Sequence, residues 1–474
     1  MATQTKISLS QVVDVDRNIK QAKECDRMYR DILIEEFSFQ FELGRDASKT
    51  SYEAILKTLP CYFNWDLEES TDEDVQVLVG CAKENLVSNT ELSLVPHKTM
   101  LGYLYVSQLR RTEDKEPSTA LSWFDDALSD NLKDIDSCGD NDGPLGDKLI
   151  LLGNKAWVYF VTGRMDMVDK TLQNIKQISD CKLSEGEKAF IYGHKGMCFA
   201  YFLKETCRLS LLCFDRALSI FPNHADWLFW SGAILDIHRM RIYGESFTPE
   251  ALPLFDRQES FFKRVLQLNN AHPCAMALLS KVYLDRGEFD KAESYILDAR
   301  KCDPGPTLPI VASIASSVFV TAKKFKMSEQ ALEQSLQIWP KNTYSLLFMG
   351  NTYKEMHFHE STTESNQMNL KKAIQYYDKA NMCVDHHLPG ITIEKAKVYT
   401  VLGNLAEARG LFSAVASTAR DPFWKSVAYL EFGEFFMHHL RESCNAMKYY
   451  KMASEHGAEY WVGKKAAALL DSKV

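Results

Sequence analysis

Residues 273–304 read PCAMALLSKVYLDRGEFDKAESYILDARKCDP, and this stretch decides the fold. Leu279, Ser280 and Tyr283 fall on one helix face. Gly287 follows, then Phe289, Ala292, Ile296 and Ala299 on a second helix that Pro304 closes. Each position has a packing reason. Small residues let two helices approach closely, and the aromatic fills the gap toward the next pair. Gly287 supplies a turn between the helices, and Pro304 cannot extend the hydrogen-bond ladder.

These spacings are those of a tetratricopeptide repeat, and the pattern recurs. Gly102 and Tyr105 go with Ala120, Phe124 and Ala127, and Tyr159 and Gly163 with Val168 and Leu172. Gly196 and Phe199 precede Phe214 and Ala217, while Trp227 and Ile234 lead to Phe262 and Val265. Phe319 and Phe325 lead to Leu332 and Ser335. Gly350 and Tyr353 pair with Ala373 and Tyr377, Tyr399 and Gly403 with Ala408 and Phe412, and Gly433 and Phe436 with Ala446 and Tyr450. About eight or nine helix hairpins at a period near 34 residues predict an all-α, right-handed superhelical solenoid. Insertions at 112–117, 130–147, 240–257 and 357–370 are expected to fall in inter-helix loops. The expected segments are an N-terminal helical extension over 1–58, an N-terminal repeat subdomain over 59–140, a central one over 148–270 and a C-terminal one over 271–470.

Composition agrees with this class. The chain has 474 residues, too many for one closed core, with 22 Gly and 14 Pro, few for an all-β chain of that length. A net charge of −9 gives no global attraction to nucleic acid, although a local basic groove fits inside an acidic protein. No run of 18 apolar residues predicts a membrane span, and the polar start, with Asp14 and Asp16, is unlike a signal peptide. Twelve cysteines lack any C-x-x-C pair, the usage of reduced thiols in cytosol or nucleus. Asp140, Asp142 and Gly143 suggest a calcium loop, but Leu149 stands where its bidentate Glu belongs.

No nucleotide-binding glycine loop, nucleophile elbow or H-E-x-x-H motif is present, so neither catalysis, metal nor small-molecule cofactor is expected. The expected function is binding, in the groove lined by the first helix of each repeat. Tyr201, Lys281, Lys354 and Lys397 line that groove among mostly neutral and apolar positions. The one basic cluster, His238, Arg239 and Arg241, reads either as an anion site or as cations complementing a helix C-terminus in water.

Longer motifs carry a family resemblance. Leu59-Pro-Cys-Tyr-Phe-Asn-Trp-Asp-Leu and Asn154-Lys-Ala-Trp-Val-Tyr-Phe-Val-Thr-Gly-Arg resemble stretches of the interferon-induced proteins with tetratricopeptide repeats. Ala373-Ile-Gln-Tyr-Tyr, and Phe432-Gly-Glu-Phe with Asn445-Ala-Met-Lys-Tyr-Tyr, are similar in order and spacing, so the resemblance spans roughly 50–465. It implies a cytoplasmic antiviral effector without enzymatic activity. Its partner would be the 5′ end of foreign single-stranded RNA or, for an adaptor, a peptide or a related repeat protein. Departures accompany the likeness. The family's basic helix is replaced by Ile310–Thr321, which carries no base; of its basic contacts Arg239 or His238 matches one, and Tyr201 stands near another.

Overall fold

A computed structural model of the chain describes residues 49–65, 79, 82–83, 94–109, 118–135, 144–179, 183–202, 207–244, 248–303, 308–359, 363–383 and 388–472. Every regular element among them is helical. Most of the N-terminal extension, the acidic run of residues 68–74, Pro304 and the Asp140–Gly143 segment lie outside the described residues.

The chain forms two compact units. The first takes in residues 1–68, 98–222 and 248–253, and the second residues 69–97, 223–247 and 254–474. Helix α1 (Lys49–Leu56) precedes three hairpins, α2 (Val95–Leu109) with α3 (Ser118–Ile135), α4 (Pro144–Val161) with α5 (Met165–Ser179), and α6 (Glu185–Phe202) with α7 (Cys207–Ile220). Six more follow: α8 (Ala225–Tyr243) with α9 (Leu252–Leu268), α10 (Pro273–Asp285) with α11 (Phe289–Cys302), and α12 (Pro309–Thr321) with α13 (Phe325–Ile338). Next come α14 (Thr343–His359) with α15 (Thr363–Met382), α16 (Pro389–Val401) with α17 (Leu405–Thr418), and α18 (Pro422–Phe435) with α19 (Ser443–His456). A single helix, α20 (Trp461–Asp471), ends the stack. Nine hairpins among the described residues match the repeat pattern read from sequence.

The small-against-aromatic rule is the joint of each hairpin. Gly102, Gly196, Gly232, Gly350 and Gly433 sit on the first helix against Phe124, Phe214, Phe262, Tyr377 and Tyr450 on the second. A Cβ at any of these glycines would lie within 3.0 Å of the facing ring. The aromatic rings are fully buried, so no relaxation toward solvent is open to them. The turns share one geometry too. Gly163, Gly287 and Gly403 take φ between 75° and 79°, and the following amides of Arg164, Glu288 and Asn404 reach back to Tyr159, Tyr283 and Tyr399 carbonyls. At the equivalent turn of α12–α13 Lys323 adopts φ 58°, a left-handed conformation that costs an L-residue about 1 kcal/mol.

Two insertions are helix rather than the loops expected. Nothing between Asp236 and Tyr243 breaks a helix, so α8 runs until Gly244, at φ 77°, ends it, and α9 resumes at Leu252. Residues 351–388 contain neither Gly nor Pro, so α14 extends to His359 and α15 restarts at Thr363. The acidic 130–147 stretch is likewise shortened, with α3 reaching Ile135 and α4 starting on Pro144.

Buried thiols are consistent with reduced cysteine usage. Burial pushes Cys61 and Cys213 up to about 12, which keeps them protonated and unreactive.

Candidate functional site

In the second unit, the basic cluster of α8 is a buried ion-pair network. Arg239 is 0% exposed, with its guanidinium 4.1 Å from the Phe255 ring centroid. Its Nη2 donates to Asp236 Oδ1 at 2.8 Å and to Asp285 Oδ2, and its Nη1 faces the Gly244 carbonyl at 3.4 Å. Lys281 joins the same two carboxylates, at 3.3 Å and 2.8 Å. Burial alone would raise the Asp236 carboxyl, but Lys281 and Arg239 hold it below the usual carboxylate range. Burial alone would likewise lower Lys281, and Asp236 with Asp285 keeps it above the ordinary lysine value. Two cations and two carboxylates balance, the arrangement in which buried charge is tolerated.

The other lysines expected to line the groove are matched in the same way. Lys354 donates to Glu394 at 2.7 Å, and Lys397 bridges Glu394 at 3.2 Å and Glu431 at 3.0 Å, tying α14, α16 and α18 into one ladder. Burial would raise Glu394, and the two lysines hold it low instead. Arg241 pairs with Asp421 at 2.7 Å and lies over the Phe423 ring. His238 is half-buried on α8 beside this cluster, and α12 contributes only hydroxyl and apolar side chains between its two ends.

The structure therefore brings Arg239 and Lys281 together through shared carboxylates, joins Lys354 to Lys397 through Glu394, and places Tyr201 in the other unit, buried on α6. The pairing of these bases with carboxylates escaped the sequence reading. Their signal was present as helical spacing, Asp236 three before Arg239, Lys281 four before Asp285 and Glu394 three before Lys397.

In the first unit, the two family-like motifs meet. The Tyr62 amide donates to Asn154 Oδ1 at 3.1 Å across 92 residues, and Asn154 in turn donates to the Ile150 carbonyl. Phe63 and Trp157 rings stand 6.0 Å apart, and Cys61 backs against Gly153. Asn64 fixes the approach by donating to the Leu56 and Leu59 carbonyls. Above this joint, Lys195 Nζ lies 5.9 Å from both the Trp65 and Phe199 ring centroids, and Tyr103 packs edge-on to Tyr62 and Phe63. His194 bridges Tyr62 and Asp147, at 3.3 Å and 3.2 Å. A lysine between two aromatic rings was not among the residues singled out from sequence, because only folding brings Trp65 to the helix that carries Lys195 and Phe199.

No family model matches the chain. Among curated proteins it is 21% identical over 401 residues to interferon-induced protein with tetratricopeptide repeats 2 of Cricetulus griseus, covering 82% of this chain and 79% of that protein. The Homo sapiens protein of the same name is 20% identical over 412 residues, covering 83% of this chain and 81% of its own length. Protein 3 of that series from Mus musculus is 24% identical over 274 residues, 55% of this chain and 59% of the other. At 20–24% identity, this chain is similar to the interferon-induced tetratricopeptide-repeat proteins. The human IFIT1 dimer with m7Gppp-AAAA superposes with a TM-score of 0.73 at 17% identity, over 89% of this chain and 90% of that one. The human IFIT1 dimer with PPP-AAAA gives 0.69 at 17% identity, over 89% of each. At this identity the structural likeness establishes the repeat fold. Among the described residues, no helix is long and apolar enough to cross a membrane, and no group of three or more His, Cys, Asp or Glu could hold a metal ion.

Proposed function

We propose that this protein is a non-enzymatic cytoplasmic scaffold of antiviral innate immunity whose ligand is the 5′ end of single-stranded RNA. The observation that carries the reading is the match along nine-tenths of both chains to a scaffold whose structures hold m7Gppp-AAAA and PPP-AAAA. Lys195, with its ammonium 5.9 Å from the Trp65 and Phe199 ring centroids, supports it from this chain's own residues. A cation beside aromatic faces is the combination that holds a phosphate and stacks a base. Arg241 on α8, with Lys281, Lys354 and Lys397, contributes to the reading only after exchanging carboxylate for phosphate, and His238 lies next to Arg239 on the same helix. Such an exchange swaps one anion for another and gains little. Arg239, buried under Phe255, holds the shape of α8 for that reading and does not touch the ligand.

The pairing of those lysines favours a second reading, an adaptor whose ligand is a peptide or a related repeat protein. A neutralised ladder with an apolar α12 between its two ends suits a polypeptide better than a phosphate backbone. The test is fluorescence anisotropy of labelled PPP-AAAA and m7Gppp-AAAA against the full chain from 50 to 200 mM salt. RNA recognition predicts affinity that falls steeply with salt and is lost in Lys195→Glu. Absence of binding at micromolar protein removes the RNA reading, and a stoichiometric protein co-purifying with the chain then supports the adaptor.

A further inference from the structure

Repeat stacks are held by neighbour-to-neighbour contacts, so nothing in the repeat pattern asks the first helix of a stack to touch the last. In the second unit they do touch. Arg241, near the end of α8, donates to Asp421 Oδ2 at 2.7 Å across 180 residues, and its guanidinium lies 5.4 Å from the Phe423 ring centroid. One turn on, the Trp461 indole rests on Gly244, where a Cβ would come within 3.2 Å of the ring, and Lys464 Nζ lies 5.9 Å from the Tyr243 ring centroid.

Several features converge on this join. Gly244 adopts φ 77°, ends α8, presents its carbonyl to Arg239 and leaves room for Trp461, so any side chain there would be both strained and blocked. Asp421 uses its other oxygen to accept the Phe423 amide at 2.9 Å as the N-cap of α18, which fixes its carboxylate for Arg241. Both ends of the pair are largely buried, 13% and 11% exposed.

We propose that Arg241–Asp421 and Trp461–Gly244 form a clasp that closes the second unit into a ring, and that releasing it turns the ring into an open stack. Opening breaks the contacts of this join. Every neighbouring hairpin interface survives, so the open form is a low-lying state of the folded chain and not an unfolding intermediate. The clasp is polar and aromatic rather than a continuous apolar core, which suits reversible release. The proposal holds whichever ligand the scaffold binds.

Hydrogen exchange and small-angle scattering on the full chain test it. In Arg241→Glu, amides of residues 461–471 should exchange on the order of a hundredfold faster, the loss expected when a buried pair becomes a repulsion. The radius of gyration should rise while residues 309–418 keep their protection. Asp421→Asn, which retains the helix cap, should shift both readouts in the same direction by a smaller amount. Protection of 461–471 and a scattering curve unchanged in both variants would overturn the clasp. Global loss of protection in both would overturn it as well, since closure would then be a requirement of folding and not a latch.

Discussion

Replacing Arg239 with Met separates a structural cation from a ligand contact. The substitution keeps an unbranched chain against Phe255 but removes the positive charge facing Asp236 and Asp285. Two buried carboxylates, each 11% exposed, are then left with Lys281 alone, at 3.3 Å and 2.8 Å. Removing one partner of a buried pair costs about 3–5 kcal/mol, and the remaining lysine places the expected loss near the lower end, about 3 kcal/mol. For a unit of this size that corresponds to a drop of about 10 °C in its melting transition. Calorimetry of the full chain reads it directly. Asp285→Asn in the same background removes one of the stranded charges, so the double variant should recover roughly half of the loss. A folded Arg239→Met protein within about 1 kcal/mol of the parent that no longer binds PPP-AAAA would refute the reasoning, because Arg239 would then be spending its charge on the ligand.

Four further outcomes follow from the same contacts. Gly350→Ala should cost about 1–3 kcal/mol in urea denaturation, since the new methyl meets the buried Tyr377 ring, whereas Gly410→Ala, with nothing within 4 Å on an exposed helix face, should gain up to about 1 kcal/mol. Lys323→Gly should raise stability by roughly 0.5–1 kcal/mol, by relieving the left-handed φ that its sister turns give to glycine. Burial lowers His224, stacked on Trp227, to about 4, so the unfolded chain takes up this proton first. The protein should therefore lose stability as pH falls from about 6.5 toward 4, and His224→Phe should flatten that limb in a thermal melt series. Asp236 and Glu394 lie below their ordinary values, so what they contribute is complete above about pH 4.5 and lost below it. Asp236→Asn with Glu394→Gln should blunt that second, more acidic limb.

The fold was legible because the repeat is written in side-chain volume. Glycine in one helix and a ring in the next can be paired by counting, and the packed Gly102–Phe124 and Gly433–Tyr450 contacts are the physical content of that count. Helix ends were less legible. Polar, helix-competent residues such as those around His357 look like loop until it is clear that no Gly or Pro stops them. The site was least legible, because an arginine reads as available until the carboxylates of neighbouring helices are placed. Asp285 and Arg239 are 46 residues apart, and Lys354 and Glu394 are 40, so only stacking brings them together. Lys195 shows the converse. Alone on α6 it carries no motif, and while Phe199 lies one turn along the same helix, Trp65 reaches it only through the fold.

These facts together explain how a repeat scaffold keeps its shape while its ligand chemistry drifts. Hairpin packing depends on small and aromatic residues that face neither ligand nor solvent, so it tolerates any change on the exposed face of the first helices. On that face, a carboxylate placed one repeat away from a lysine removes the lysine from phosphate recognition while adding a cross-repeat tie. Glu394 does both for Lys354, and Glu431 does so for Lys397, which Glu394 also pairs along its own helix. Glu394→Gln should therefore act in opposite directions on two readouts. Stability should fall, by about 1–3 kcal/mol for a partly buried bridge, because two lysines lose a shared partner. If the liberated lysines face the ligand, affinity for PPP-AAAA should rise and the slope of log K against log salt should steepen by about one to two phosphate contacts. A fall in stability with no change in that slope would confine the ladder to architecture and leave RNA recognition to the first unit.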